Sequence, residues 1–256
     1  MNICSQWIEG ILQQRLQAPM RISVYCRSLH SGAPFCYDER VMPSASLIKI
    51  PIMIRAFRLA QAHSLDVSQP CPVYGQVAGG SVYNLPKGTV LTVHDLIFHM
   101  IVESDNTCTN MLIDMLGMDS INEEIRQQEL RNTVLQRKMM DFAAAQAGRE
   151  NLTSPSDMGQ LLYRLAHGQC LGEELDRGMM DILLQQEDNC ILPAQIPHIV
   201  PVAHKTGELD GLYHDCGIVW KKGTPYICCL MADGIDDEPQ AVYDMSYIAR
   251  DIYDMM

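Results

Sequence analysis

Residues 43–53 read PSASLIKIPIM, and here the chain changes character: the strand-like stretches of residues 20–39 give way to helical spacing that runs to about residue 190. Lys49 stands one helical turn after Ser46, among Leu47, Ile48, Ile50 and Ile52, in a run apolar enough for the core. A buried ammonium is costly unless it is paired or neutralised, and a buried hydroxyl needs a hydrogen-bond partner. The pair is held there against its solvation preference, which marks the stretch as a candidate site.

On the N-terminal side, residues 3–17 carry Ile3, Trp7, Ile8, Ile11, Leu12 and Leu16 at helical spacing and predict a packed amphipathic helix. Two short strands follow, MRISVYCRS (20–28) and APFCYDE (33–39), joined by the turn-rich HSG at 30–32. On the C-terminal side, TVHDLIFHMIVES (92–104) opens with Thr92 and Asp95 at cap spacing, and NTCTNMLIDMLG (106–117) closes on Gly117. SPSDMGQLLYRLAHG (154–168) has Ser154 as cap, Pro155 at the first helical position and Gly168 at its end. Strands return in HIVPVAHKTG (198–207), HDCGIVWKK (214–222) and TPYICCLMAD (224–233), and EPQAVYDMSYIARDIYDMM (238–256) forms a last helix. The fold class is therefore α+β: one antiparallel sheet assembled from both chain ends and flanked by terminal helices, with an all-helical lobe inserted. Residues 1–39 with 191–256 make the α/β lobe, residues 40–190 the helical lobe, and a cleft lies between them.

The bulk numbers agree. A chain of 256 residues, 47% hydrophobic and 20% charged, supports one large domain or two interleaved lobes. Its net charge of −12 and lack of a Lys/Arg cluster argue against a nucleic-acid partner. No apolar run approaches the roughly 18 residues of a membrane span. The start, MNICSQWIEGILQQRLQ, has no signal-peptide pattern, so the sequence reads as cytoplasmic, or as periplasmic or extracellular if a leader was removed. The ten cysteines lack CxxC or zinc spacing and read as small buried hydrophobes in a reducing compartment, with Cys228 and Cys229 on opposite faces of a strand. His94, His99, His198 and His214 show no H-x-x-x-H pairing; no metal and no cofactor are expected.

Ser46 and Lys49, at i and i+3, share one helix face. A hydroxyl at a helix start sits where developing negative charge is favoured, and a desolvated lysine falls in pKa toward a usable base. An S-x-x-K occurs by chance about once in a chain this long, but two further triplets, Ser104-Asp105-Asn106 and Lys205-Thr206-Gly207, are each expected less than about 0.1 times. Their joint presence, in this order, is not expected by chance.

The ordered trio resembles the penicillin-recognising serine hydrolases, most closely their class A β-lactamase-like branch. The likeness covers essentially the whole chain, and a small-molecule substrate, a β-lactam or a D-Ala-D-Ala-like peptide, is what it implies. By that resemblance Ser46 is the acylated nucleophile, Lys49 its base or relay, and Ser104 passes a proton to the leaving nitrogen. Asn106 holds the substrate's amide, Lys205 and Thr206 its carboxylate, Gly207 lets the strand come close, and the backbone N–H groups of Ser46 and Glu208 form the oxyanion hole. Asp105 and Asn110 match structural residues. Class A enzymes release the acyl group with a glutamate in an E-x-x-x-N context, and LQRKMMDFAAAQAGRENLTSP (135–155) contains none. Counting places the missing glutamate near Met139 or Met140, leaving Asp141 as the nearest acid, while Glu150 matches a loop-closing partner of Arg137. A long-lived acyl-enzyme is the expectation, with a D,D-peptidase, an esterase or a non-turning-over penicillin-binding module as alternatives on the same scaffold. His204, one residue before Lys205, should face away from it.

Overall fold

In the computed structural model, which describes residues 5–30 and 32–256, the first helix, α1 (Ser5–Arg15), buries Ile8, Ile11 and Leu12. Trp7, read as part of that packed stripe, is instead 42% exposed. Ile3, and Ser31 of the HSG turn, lie outside the described residues. Strands β1 (Arg21–Ser28) and β2 (Phe35–Tyr37) pair antiparallel with Val24 opposite Tyr37. The two-residue β3 (Met42–Pro43) leads into a 3-10 turn, Ala45–Ile48, continuous with α2 (Lys49–Gln61).

A small ribbon, β4 (Pro70–Pro72) with β5 (Val90–Thr92), precedes α3 (Val93–Val102), α4 (Asn106–Leu116) and α5 (Met118–Gln127). Thr92 and Asp95 close a reciprocal cap on α3: Asp95 N donates to Thr92 Oγ1 at 3.1 Å and Thr92 N to Asp95 Oδ2 at 2.8 Å. Next come the short α6 (Phe142–Gln146), β6 (Leu152–Thr153), which pairs with β3, and then α7 (Pro155–Ala166) and α8 (Glu173–Leu183). Ser154 caps α7 by accepting the Asp157 N–H.

The chain ends in β7 (Val202–Leu209), β8 (Leu212–Val219), β9 (Tyr226–Asp233) and α9 (Glu238–Met255). β7 begins at Val202, four residues later than the strand read from the sequence, because Pro197 and Pro201 offer no N–H to a ladder. All neighbours in the five-stranded sheet, ordered β2-β1-β9-β8-β7, run antiparallel. Pairing β1 from one chain end with β9 from the other is the arrangement expected from strands at both termini.

Strand alternation divides the apolar residues between two cores. Val24, Cys228 and Leu230 pack with Ile8 and Leu12 of α1 and with Met245 and Ile248 of α9. Tyr25, Cys216, Cys229 and Met231 face the other way, against Ile50, Ile54, Leu96, Met111 and Leu161 of the inserted helices. Cys228 and Cys229 thus serve opposite cores, as the period of two requires. The nine described cysteines are all free. No helix among the described residues is long and apolar enough to cross a membrane. β7 is the sheet's edge strand and lies against the 3-10 turn, which brings the first and last sequence motifs together.

Candidate active site

The 3-10 turn presents Ser46, half-buried, at the wall of a cleft of about 770 Å³. Ala45, just before it, has φ of +45°, a left-handed conformation that costs a non-glycine residue energy and that packing must impose. Lys49 starts α2 with no exposed surface. Its Nζ donates to the Ser104 carbonyl at 2.6 Å, to Ser104 Oγ at 3.1 Å and to Asn106 Oδ1 at 2.9 Å, and Ser46 Oγ stays outside this set. Lys49 is thus tied to the serine and asparagine of the second motif.

Ser104 links α3 to α4 with φ of +57°, a second left-handed residue at the same spot. Asp105 then caps α4: it accepts the Cys108 N–H at 2.8 Å and, through its other oxygen, the Val82 N–H at 2.9 Å. That second bond ties the 77–82 segment to the helix start. Asn106 Nδ2 donates to the Ala78 carbonyl at 2.9 Å, and the Asn106 N–H to the Gly79 carbonyl at 3.0 Å. Gly79 and Gly80 press so closely on this corner that a Cβ at Gly79 would stand 2.4 Å from Asn106 Nδ2, and one at Gly80 2.2 Å from Asp105 Oδ2. Only glycine fits there.

From the other lobe, β7 delivers Lys205, fully buried, whose Nζ donates to Ser104 Oγ at 3.1 Å and to the Thr206 carbonyl at 3.0 Å. One hydroxyl oxygen is therefore flanked by two lysine nitrogens at equal distance, a geometry in which it can accept from one and donate to the other. Burial, and after it the charge of Lys205, push Lys49 well below the ordinary lysine value. Lys205 is lowered by burial to about 8, with Asp215 and Asp188 opposing the shift. Thr206 lines the cleft although only 8% exposed. A Cβ on Gly207 would stand 3.1 Å from Ala45 Cβ and 3.3 Å from both Ser44 O and Ser46 N, so the edge strand approaches the turn this closely because the residue is glycine. Glu208 is exposed at the rim. His204 points away from Lys205, with Nδ1 2.9 Å from Asp215 Oδ1 in a buried pair.

Asp141 is not brought to this cluster. It lies outside the cleft lining, and its Oδ1 accepts the Ala144 N–H at 3.0 Å as the cap of α6. Asp141, the acid read as nearest the missing glutamate's place, thus serves here as a helix cap. Glu150 takes Arg137, with Nε to Oε1 at 2.8 Å and Nη2 to Oε2 at 3.2 Å. Asn110, one turn along α4 from Asn106, grips both backbone groups of Met139: Met139 N donates to Oδ1 at 2.8 Å and Nδ2 donates to Met139 O at 3.1 Å.

The sequence reading missed Gly79, Gly80 and Ser81, and the carboxylates Glu103, Glu187, Asp188 and Asp210, all of which line the cleft. The Gly-Gly pair is legible as a turn, but nothing local says which helix it meets. The carboxylates come from three separate segments and carry no shared motif.

A family model described as "Beta-lactamase enzyme family" matches residues 6–256. A curated protein described as "Beta-lactamase" from Streptomyces fradiae is 31% identical over 153 residues, which cover 56% of this chain and 49% of that protein. The chain thus aligns with about half the length of that curated relative. The β-lactamase structure from Sphaerobacter thermophilus DSM 20745 shares the fold with a TM-score of 0.90, 23% identity and 99% of each chain covered. The structure of PBP-A superposes with a TM-score of 0.88 at 25% identity, over 98% of this chain and 96% of that one.

Proposed function

We infer, from the premise that this chain belongs to the β-lactamase enzyme family, that it is a serine hydrolase of the class A-like branch that opens β-lactams quickly and releases the acyl group slowly. Residues 1–39 with 191–256, and residues 40–190, supply the two lobes on either side of the cleft. Ser46 Oγ attacks the lactam carbonyl as its proton passes to Lys49, which burial favours in the neutral form that accepts it. The oxyanion is met by the backbone N–H groups of Ser46 and Glu208. The C–N bond breaks as the nitrogen takes a proton from Ser104, replenished from Lys49 across the 3.1 Å contact. Asn106 holds the side-chain amide, and Lys205 with Thr206 the substrate carboxylate.

Release needs water polarised by a base, help worth roughly 10²- to 10⁴-fold. The observation that carries the slow-release reading is the loop of residues 136–151: Asp141 caps α6 and Glu150 is paired with Arg137. A methionine occupies the place at which counting put the glutamate. A single-residue variant of PBP-A is described as an acyl-enzyme complex with penicillin G, a precedent for a trapped ester on this fold. The same loop favours, as the second reading, a D,D-peptidase or a penicillin-binding module whose ester persists.

Mixing the protein with nitrocefin and weighing it intact separates the two steps. A colour burst of about one equivalent, followed by weak turnover and an adduct on Ser46, is expected. Turnover on the order of 10² per second or faster without an adduct sinks slow release. No colour and no adduct sinks acylation.

A further inference from the structure

The cleft walls carry five carboxylates, from Glu103, Glu187, Asp188, Glu208 and Asp210, and no lysine or arginine is among the lining residues. They stand on three sides: Glu103 at the end of α3, Glu187 and Asp188 after α8, Glu208 and Asp210 at the end of β7. Glu103 is accounted for within the protein, since Oε1 lies 2.6 Å from His99 Nδ1 and Oε2 accepts the Ser81 N–H at 3.1 Å. The other four are exposed, and among the described residues no ion pair joins them to a cation. Their field reaches neighbouring groups: after burial, Glu208 is the next cause pushing the Tyr213 hydroxyl up, and Asp188 opposes the lowering of Lys205.

The cleft floor has the opposite polarity. Lys49 and Lys205 lie beneath it without exposed surface, and the hydroxyl of Thr206, a cleft-lining residue only 8% exposed, has no partner among the described residues. A cleft-facing hydroxyl with no side-chain or backbone partner, on a largely buried residue next to a lysine, is a seat for one anionic group. A ligand seated there by one carboxylate meets carboxylates on three sides with its remaining parts.

We propose that this cleft selects its substrates by charge, taking zwitterionic ligands that pair one carboxylate at Lys205 and Thr206 with an amine toward the rim, and discriminating against ligands with a second carboxylate. The inference deepens the acylation reading above and rests on it for the identity of the carboxylate seat. Clefts lined with one sign of charge change association rates by about 10- to 10³-fold, so an amine and a carboxylate at the same substituent should differ on that scale.

Aminobenzylpenicillin, benzylpenicillin and carboxybenzylpenicillin share a nucleus and differ in one substituent: an amine, nothing ionised, or a second carboxylate. Their second-order rates of Ser46 modification are measured by mass on the wild type and on Glu187→Gln/Asp188→Asn/Asp210→Asn. The same three compounds are titrated without chemistry onto Ser46→Ala, by nuclear magnetic resonance. The expected order is amine, then neutral, then carboxylate in both assays. The spread between first and last should be at least about tenfold and should shrink in the triple variant and near 1 M salt, where the Debye length is about 3 Å. That order in the titrations supports charge selection even if the wild type is never acylated, a failure that would fall on the acylation reading alone. An equal or reversed order in the titrations, or a spread that survives both the triple variant and salt, overturns the proposal.

Discussion

Around Ser104 Oγ, two buried lysine nitrogens converge on one hydroxyl 3.1 Å from each; one turn further along α4, the loop of residues 136–151 spends its polar side chains on the protein itself. Asn151 Oδ1 accepts the N–H groups of Gln136 and Arg137 at 2.7 and 3.0 Å, Glu150 holds Arg137, Asp141 caps α6, and Asn110 clasps Met139. Both regions hold non-glycine residues at positive φ, Ala45 and Ser104 in the first and Met140 in the second, but only the first also stores the cost of two fully desolvated lysine side chains. The second region is satisfied. Where polar groups are held at a cost they are available for chemistry, and where they are satisfied they define shape. The contrast predicts opposite responses to mutation.

The largest effect is expected at Lys49. Lys49→Met keeps the stem and removes the amine, so acylation by benzylpenicillin should fall by about 10³-fold or more while the melting temperature holds or rises, because a desolvated polar group has been replaced by an apolar one. Stopped-flow labelling and calorimetry on the same sample check both; a melting temperature that falls steeply would mean that Lys49 serves the fold. Next is the converse change in the loop. Met139→Glu places a carboxylate where release lacks one and should speed loss of the adduct by about 10²-fold, followed by intact mass after removal of free ligand. It should also cost stability, because Met139 is only 8% exposed. Unchanged release in a folded variant would locate the block elsewhere.

The pH profile sharpens the comparison from the lysine side. Lys205 is lowered to about 8, so it is charged below that pH and neutral above it. Acylation by a carboxylate-bearing β-lactam should therefore decline by about tenfold per pH unit above about 8, while acylation by an uncharged ester should not. Parallel declines for the two substrates would remove Lys205 from carboxylate binding. The smallest effect belongs to Asp141→Asn. Asparagine caps as well as aspartate, so stability should change by less than about 0.5 kcal/mol, and the adduct lifetime should not change. A markedly longer lifetime would return Asp141 to the reaction.

Asp141 also shows how the sequence is best read. An aspartate immediately before FAAAQ is a local cap signal that the sequence reading passed over, because counting along a resemblance drew attention to the residue as an acid; the structure has it capping α6. Local signals succeeded repeatedly: the Thr92–Asp95 box, Ser154 before Pro155, and the alternation that sends Cys228 and Cys229 to different cores. The two-residue strands β3 and β6 escaped notice because they are too short to show a period, and they exist through pairing with each other. Glu150 was legible as the partner of Arg137 only through the resemblance, since the sequence does not show which arginine a glutamate meets.

The sequence by itself determined the three motifs, their order, the helix caps and the division of strands between the chain ends, because each is written within a few neighbouring residues or in a short period. The tertiary structure alone decided that Lys49 meets Ser104 across 55 positions and that Ser104 meets Lys205 across 101. It also decided that four carboxylates from two segments, without an ion-pair partner among the described residues, line one cleft, and that the loop's acids are already engaged. Such contacts follow from how the sheet, turn and helices pack, and the desolvation that lowers both lysines arises only when that packing closes over them.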